Sequence, residues 1–571
     1  MASAVPMPGY PGPVTPEQLS HALHTTVSAL VSEGLLELDS DVPDEIRVER
    51  PKVPAHGDYA SGIAMQLARP ARRPPREIAE LVAARLGTVT GVASVEVAGP
   101  GFLNVRVETS AQGAVAAEVL AAGSSYGTNQ ALAGERVNLE FISANPTGPL
   151  HVGHTRWAAL GDALARLLTA CGAEVTREFY INDLGVQMDK FGASLMAAVD
   201  GRPVPEGGYH GAYVAELAQR IAADHPELAE LPDDERLVAF REEGYRLQLA
   251  EQREHLENFR THFDVWYSER ALHADDRVKH GIEKLRAQGH LYSEGGALWM
   301  RTTDFGDDKD RVLLRSNGEY TYFASDTAYY VDKRERGFDR CIYMLGADHH
   351  GYVGRLRAMA ACAGDDPDAT IEVLIGQLVK VLRGGAELRL SKRAGTILGL
   401  QELVDITGVD ALRYTLCRHP ADSQMTVDVD EVTRQSSDNP VYYVQYAHAR
   451  LASILRNAAD LHISVDFTQP AAAYDPSRLD HPREGDLLRA LAELPRVVQQ
   501  AAVLREPHRV ARYLERTAST FHKFYDECRV LPMGDEEVSD QHRARLALVA
   551  ATQVVLANGL ALLGVQAPER M

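Results

Sequence analysis

Cysteine is scarce in this chain. Five are spread over 571 residues, Cys171, Cys341, Cys362, Cys417 and Cys528, and no two form a C-x-x-C pair. An odd, scattered set excludes a disulfide framework and a thiolate zinc ribbon, and it fits a reducing compartment. Long hydrophobic runs are missing too. The best, residues 546–557, includes Thr552 and Gln553 and falls short of the roughly 20 apolar residues that cross a bilayer. No charged segment followed by an apolar run opens the chain, and residues 1–16, rich in proline and glycine, are expected to be flexible. A cytoplasmic protein away from membranes is the expectation. No G-x-x-x-x-G-K-[ST] run occurs, so P-loop chemistry is excluded. Basic residues are in deficit, 59 against 80 acids, for a formal charge of −21. That excludes a general nucleic-acid coat or an anionic-membrane binder, but leaves room for local basic patches.

What is present is ordinary folded-protein composition, 45% hydrophobic and 24% charged, over a length that suggests about three units. Residues 1–125 read as a small α+β unit, with Gly91 and Gly101 supplying turns between short strands. Arg69, Arg72, Arg73 and Arg76 fall together there, either a solvated loop or a phosphate-contacting patch. Residues 126–435 alternate buried strands, at 136–143, 175–181, 341–346 and 371–379, with helical stretches, the pattern of a parallel sheet with crossover helices. A charged, mostly helical stretch at about 185–300 reads as an insertion between two halves of that sheet. Residues 436–571 show only helical spacing, for example Leu487, Leu491, Leu494 and Val498, and predict an all-α bundle. The fold class is thus multidomain α/β, with a Rossmann-like sheet flanked by a small α+β domain and a helical bundle.

Two segments carry chemistry. In the first, a strand reaching Glu140 runs through a Pro/Gly turn at Pro149 into a helix that begins at His151-Val152-Gly153-His154. A helix N-terminus offers unpaired N–H groups and a positive dipole end, suited to a polyphosphate. Histidines at i and i+3 share one face, and Gly153 permits close approach to the backbone. Alone, H-x-x-H also fits a helix surface or half of a metal site, for which Asp348, His349 and His350 would be further ligands. The second segment, Glu387 to Thr396, belongs to a stretch with five basic residues, Lys380, Arg383, Arg389, Lys392 and Arg393, against Glu387. Alone it reads as a solvated turn. Beside the first, it becomes a loop able to stabilise charge developing on a leaving pyrophosphate.

Together these segments resemble the HIGH and KMSKS signatures of class I aminoacyl-tRNA synthetases. The runs EFISANPTGPLHVGHTR from Glu140, YINDLGVQ from Tyr180, YTYFASDTAYY from Tyr320, GADHHGYVGRL from Gly346, DALRYTL from Asp410 and NPVYYVQYAHAR from Asn439 resemble one family, the arginyl-tRNA synthetases. One departure stands out. The first lysine of the second signature is Arg389 here, which keeps the charge but not the ammonium geometry, so Lys392 is the main phosphate-contacting candidate.

The resemblance implies a ligase that activates L-arginine with ATP and transfers it to tRNA(Arg), with Mg²⁺ accompanying ATP, no protein-held metal, and activation that needs bound tRNA. It implies His151, His154 and Lys392 as catalytic residues. ATP would be held by Pro149, His151, Gly153, His154, Gly346, Asp348, His350, Arg389, Ser391 and Lys392. Arginine would meet Glu140, Ser143, Asn145, His151, Tyr322 and Asp326, since a planar guanidinium needs carboxylates placed to pair with its fork. Asn182 and Asp183 would support the site. The bundle would read the anticodon, with Tyr442, Gln445 and Tyr446 as candidates, and the N-terminal unit would contact tRNA through Arg69, Arg72, Arg73 and Arg76. A monomer is expected. The alternatives are a catalytically silent RNA-binding relative and another nucleotidyl transferase with the same H-x-x-H fold.

Overall fold

The computed structural model describes residues 15–51, 53, 56–388, 398–463 and 474–571. The expected flexible start and the residues Arg389, Ser391 and Lys392 therefore lie outside the described residues. The N-terminal domain opens with α1 (Pro16–Ser32), capped reciprocally: Gln18 N–H donates to Thr15 Oγ1 at 3.2 Å and Thr15 N–H to Gln18 Oε1 at 3.1 Å. There follow β1 (Val48–Glu49), β2 (Tyr59–Ser61), α2 (Ile63–Ala71), α3 (Pro75–Leu86), β3 (Val92–Ala98) and β4 (Phe102–Val107). The four strands form an antiparallel sheet in the order β1-β2-β4-β3. Its core, built on Leu19, Leu23 and Val27 of α1 and Ile78 and Val82 of α3, ends at Val107.

The next helix, α4 (Thr109–Ala122), buries Val115, Ala116 and Val119 in the core of the C-terminal bundle instead. Tyr474 donates its hydroxyl to Gly113 O at 2.6 Å, and a Cβ at Gly113 would lie 2.4 Å from Pro476 O. This close approach moves the boundary expected at 125 to the β4–α4 junction. A composition break could not reveal it, because α4 is apolar on every side and suits either core.

The central sheet comprises β5 (Arg136–Glu140), β6 (Glu174–Ile181), β7 (Val265–Ser268), β11 (Arg340–Gly346) and β12 (Ile371–Gly376), all parallel, in the order β12-β11-β5-β6-β7. The chain leaves β5 toward β6 on one side and later returns as β11 on the other. The carboxyl ends of β5 and β11 therefore flank a topological switch point, where open parallel sheets bind ligands. Helix α5 (Val152–Ala170) crosses from β5 to β6 and is buried over most of its circumference.

The stretch 185–300 differs from its expectation as a single helical insertion. Helices α6 (Val186–Val199), α7 (Ala212–Asp224) and α8 (Asp233–Asn258) form their own cluster, but the chain then re-enters the central sheet as the edge strand β7. After α9 (Glu269–Ala274) and α10 (Arg277–Ala287) it leaves again as an antiparallel sheet of β8 (Leu291–Glu294), β9 (Ala297–Met300) and β10 (Arg311–Leu314). At four residues, β7 was too short to stand out between charged helices. Helix α11 (Tyr322–Glu335) leads into β11, and α12 (Val353–Cys362) and α13 (Pro367–Thr370) lead into β12. A second small sheet joins β13 (Val379–Arg383) to β14 (Ala386–Glu387) and β15 (Met425–Asp428), around α14 (Leu400–Thr407) and α15 (Val409–Cys417). The expected strand at 371–379 is thus two strands in two sheets, parted by Gln377 and Leu378.

After α16 (Val429–Val432) come α17 (Pro440–Asp460), α18 (Pro482–Ala492), α19 (Leu494–Val503), α20 (His508–Glu527) and α21 (Asp540–Leu562). Helix α21 is long and apolar enough to cross a membrane, but its apolar residues, including Leu546, Leu548 and Leu556, form the bundle core. One core runs through both sheet and bundle. A buried ion pair clamps them: Arg413 Nη2 donates to Asp162 of α5 at 2.5 Å, and the same guanidinium donates to Leu563 O at 3.1 Å, Phe259 O at 2.9 Å and Thr261 Oγ1 at 3.2 Å. Both side chains are fully buried. Arg413→Met removes one of the cations on the buried Asp162, leaving Arg166 at 2.7 Å, together with the bonds to three further acceptors, and is expected to cost about 3 kcal/mol, read as a lower urea midpoint. Arg413→Lys, with one point charge for a four-way fork, should recover only part of it.

Candidate active site

The first motif sits where the sheet diverges. Beyond Glu140, Ile142 and Ser143 take φ of 69° and 43°, a left-handed pair that turns the chain back over the strand end. For such side chains this conformation costs on the order of 1–3 kcal/mol each. Its product is a precise contact: Ser143 Oγ donates to Glu140 Oε1 at 3.1 Å and accepts from Tyr180 N–H at 3.1 Å. The Pro/Gly turn is held from outside by Gln252, which donates to Asn145 O at 3.0 Å and Gly148 O at 2.8 Å. Asn145 itself is exposed and donates to Gln187 at 2.9 Å.

His151 caps α5. Its Nδ1 accepts from Gly153 N–H at 3.1 Å, while His154 Nδ1 accepts from His151 N–H at 3.2 Å. Each neutral ring therefore carries its proton on Nε2, which is a donor. The rings stack at 3.8 Å. Burial, and secondly the nearby His151, push the His154 imidazole down to about 3, so it is neutral at pH 7. A Cβ at Gly153 would lie 3.0 Å from the His151 ring. Gly153 thus makes room for the histidine as well as exposing backbone.

Helix α11 places Tyr322, Asp326, Tyr329 and Lys333 along one stripe, at spacings of four, three and four. Tyr322, at the first turn, is 68% exposed; Asp326 is half-buried; Lys333 is fully buried. Lys333 Nζ donates to Glu140 Oε2 at 2.6 Å and lies 4.2 and 4.0 Å from the Tyr329 and Tyr343 ring centres. In the sheet register Glu140 faces Glu178 of β6. Glu178 takes a two-pronged Arg336 at 2.6 and 2.9 Å and the Tyr329 hydroxyl. Burial works against its charge, but Arg336, Lys333 and Tyr329 together hold it below the usual carboxylate range.

Asp326 has the opposite setting. Burial first, then the Glu140 charge, push it up to about 6 against a 3.2 Å bond from Tyr352 Oη. Nearby Glu269, 5% exposed at the start of α9, is pushed up to about 7 by burial, Asp326 and Asp183, with the Tyr180 hydroxyl opposing. Asp183 is also buried and takes Ser268 Oγ at 2.6 Å and Tyr245 Oη at 3.1 Å. Asp326 and Glu269, raised chiefly by burial and further by neighbouring acids, form a site that gains negative charge when a cation enters.

The second motif is represented by its flanks. Gly399 forms an antiparallel bridge with His151, and Leu400 N–H donates to Leu150 O at 2.8 Å. Val152, Lys380, Leu388 and Leu398 line an open cavity of about 320 Å³ between them. Gly346 ends β11 at the same sheet edge, followed by a 3₁₀ turn over Ala347–Tyr352. The Asp348 and His350 side chains lie outside the described residues.

The remaining candidates lie on the helical bundle and the N-terminal domain. Gln445, expected to contact tRNA, is 8% exposed and its amide donates to Asp410 at 3.0 Å and Gln566 O at 2.9 Å, contacts that secure the bundle's end. Tyr442 and Tyr446 are stacked at 6.2 Å, with Tyr446 40% exposed and His522 beside it at 6.1 Å. In the N-terminal patch Arg72 faces Asp39, Arg73 faces Glu77 and Arg76 faces Glu80, at 3.8, 3.9 and 3.3 Å, leaving Arg69 exposed on α2.

Family profiles match the chain in three consecutive parts: "Arginyl tRNA synthetase N terminal domain" at residues 17–107, "tRNA synthetases class I (R), catalytic domain" at 116–204 and 234–451, and "DALR anticodon binding domain" at 444–571. An arginine–tRNA ligase of Frankia alni is 57% identical over 558 residues, covering 98% of this chain and all of its own. The chain belongs to the arginyl-tRNA synthetase family. A second such ligase, from Renibacterium salmoninarum, is 55% identical over 559 residues, with the same 98% and 100% coverage. The solved arginyl-tRNA synthetase of Thermus thermophilus shares the fold, with a TM-score of 0.73 at 24% identity over 97% of this chain and 100% of that one. The enzyme is accordingly an ATP-dependent arginine–tRNA ligase of class I.

Four residues of this centre escaped the sequence reading: Glu269, Lys333, Glu178 and Arg336. Lys333 had a visible signal, since it lies seven residues past Asp326 on the same helix face; the others are assembled from separate strands and helices. The raised Asp326 carboxyl opposes folding once it must ionise. Its penalty begins above the unfolded value near 3.8 and is complete above about 6. The stability gained by Asp326→Asn is therefore expected to grow between pH 4 and 6 and stay constant above, measured as the difference in urea midpoint. A gain independent of pH would refute that setting.

Proposed function

We propose a residue-level reading in which arginine binds at the carboxyl ends of β5 and β6, with its guanidinium toward Asp326 and Glu140 and Tyr322 along its side chain. Glu269 is the added acid within the same group. Ser143 and Asn145 hold the α-amino and carboxylate groups. Lysine is rejected because its single ammonium cannot serve both Asp326 and Glu269, and Glu140 is already held by Lys333. The observation that supports this reading is the His151–Gly399 bridge, which sets the chain following the second motif against the first, on the same sheet edge as the Glu140–Asp326 carboxylates.

In the reaction, an arginine carboxylate oxygen forms a bond to the α-phosphorus of ATP and the bond to the β-phosphate oxygen breaks, releasing pyrophosphate. His151 and His154 offer Nε2 donors, and the positive end of α5 faces the phosphates. Lys392, with Arg389 and Ser391, covers the leaving pyrophosphate; Pro149, Gly153, Gly346, Asp348 and His350 frame the nucleotide. Mg²⁺ enters with the ATP phosphates, and no protein residue is assigned to it. The terminal ribose hydroxyl of tRNA(Arg) then attacks the adenylate carbonyl and releases AMP. Tyr442 and Tyr446 provide faces on which unstacked anticodon bases can rest. All these residues come from one chain, and a monomer in the cytoplasm suffices, in keeping with five buried cysteines that form no disulfide.

Arginine-dependent exchange of pyrophosphate into ATP that requires tRNA(Arg) is the expected activity, and tRNA binding without any exchange would favour the silent-relative reading. Asp326→Ala should raise KM for arginine by at least tenfold, whereas Lys392→Ala should lower kcat for adenylate formation by about 10²-fold with little change in arginine KM. Identical losses in both parameters for both variants would overturn the separate roles.

A further inference from the structure

Between the N-terminal domain and the bundle lies an open cleft of about 470 Å³, sharing no residue with the candidate active site. Five arginines meet there from three places: Arg50 beyond β1, Arg496 of α19, and Arg509, Arg512 and Arg516 of α20. The last three recur at spacings of three and four, so one helix face carries them all. Only two acids join them, Glu49 and Glu493, on a protein whose formal charge is −21.

These arginines are incompletely neutralised. Glu493 serves both Arg50 at 3.5 Å and Arg516 at 2.5 Å, and Arg509 turns to Glu506. Arg496 donates to a carbonyl, Val48 O, at 2.5 Å. Arg512 is exposed and has no acidic partner among the described residues. At the base, His508 is only 7% exposed, and its Nδ1 has no hydrogen-bond partner among the described residues. Helix α20 begins at this histidine without a capping side chain, so its positive end adds to the same field.

Like charges gathered across a domain boundary repel one another, and the repulsion is relieved by a polyanion. The planar forks of arginine match phosphate oxygens, and the volume exceeds that of a single carboxylate. We propose that this cleft is a phosphate-binding site that takes adjacent phosphates, either from the backbone of bound tRNA or from a free oligophosphate. Because both walls contribute cations, an occupant also ties the N-terminal domain to the bundle.

The test uses the full-length enzyme, its Arg509→Ala/Arg512→Ala variant, and Arg512→Gln alone as a milder exposed change that preserves folding. Pyrophosphate exchange at saturating tRNA(Arg) is expected to persist in both, which separates this site from the catalytic one. If tRNA supplies the phosphates, filter binding of tRNA(Arg) weakens about tenfold in the double variant, and the slope of log affinity against log salt falls by about 2. If a free oligophosphate is the ligand, tRNA affinity is unchanged, but calorimetry with inorganic tripolyphosphate shows one binding event fewer than in the parent enzyme. Unchanged tRNA affinity, salt slope and tripolyphosphate binding would overturn the proposal.

Discussion

The structure hangs on the fork of Arg413. It reaches Asp162 on the crossover helix, the turn at Phe259 and Thr261, and the carbonyl of Leu563 at the chain's far end, so three distant stretches meet at one guanidinium. A Cβ at Gly564 would sit 2.2 Å from it, which is why the chain passes there as glycine. Since His151 caps α5, the clamp that joins bundle to sheet also steadies the helix that presents the two proposed phosphate-facing histidines. Binding at the bundle and chemistry at the sheet thus share one rigid core.

A second constraint shapes the pocket. Parallel pairing puts Glu140 beside Glu178, two carboxylates with little water between them. Lys333 and Arg336, separated by less than a turn on α11 and its end, attach one cation to each. Asp326 and Glu269 have no ion pair among the described residues, and burial shifts both upward, with Arg355 only partly opposing it at Asp326. The site therefore contains a neutralised pair, which fixes geometry, and an unneutralised pair, which retains appetite for an incoming positive charge.

The motif-bearing parts of this arrangement were legible in one dimension because their chemistry depends on short spacings. H-x-x-H on one helix face, a Tyr and an Asp one turn apart, and a basic loop can all be read from neighbours in the chain. The burial of Gln445 was not legible for the same reason: its aromatic neighbours in the chain suggested a surface, whereas its partners Asp410 and Gln566 are 35 and 121 residues away. The patch of Arg69, Arg72, Arg73 and Arg76 likewise has partners the sequence reading did not place, since exposed acids on the same helix and on a distant loop lie 3.3–3.9 Å from three of its arginines.

By itself the sequence determined the three-unit plan and the parallel sheet, because periodicity encodes them, while the two motifs and the acids expected for a guanidinium came from the family resemblance that ordered runs of residues carry. Only the tertiary structure decided which core receives α4, that β7 closes the sheet, and that Lys333 and Arg336 neutralise Glu140 and Glu178. It also decided where surplus positive charge collects: Arg50 and Arg512 are 462 positions apart in the chain, yet share a cleft. Packing sums charges across domains, and a net of −21 gives no sign of where the sum turns positive.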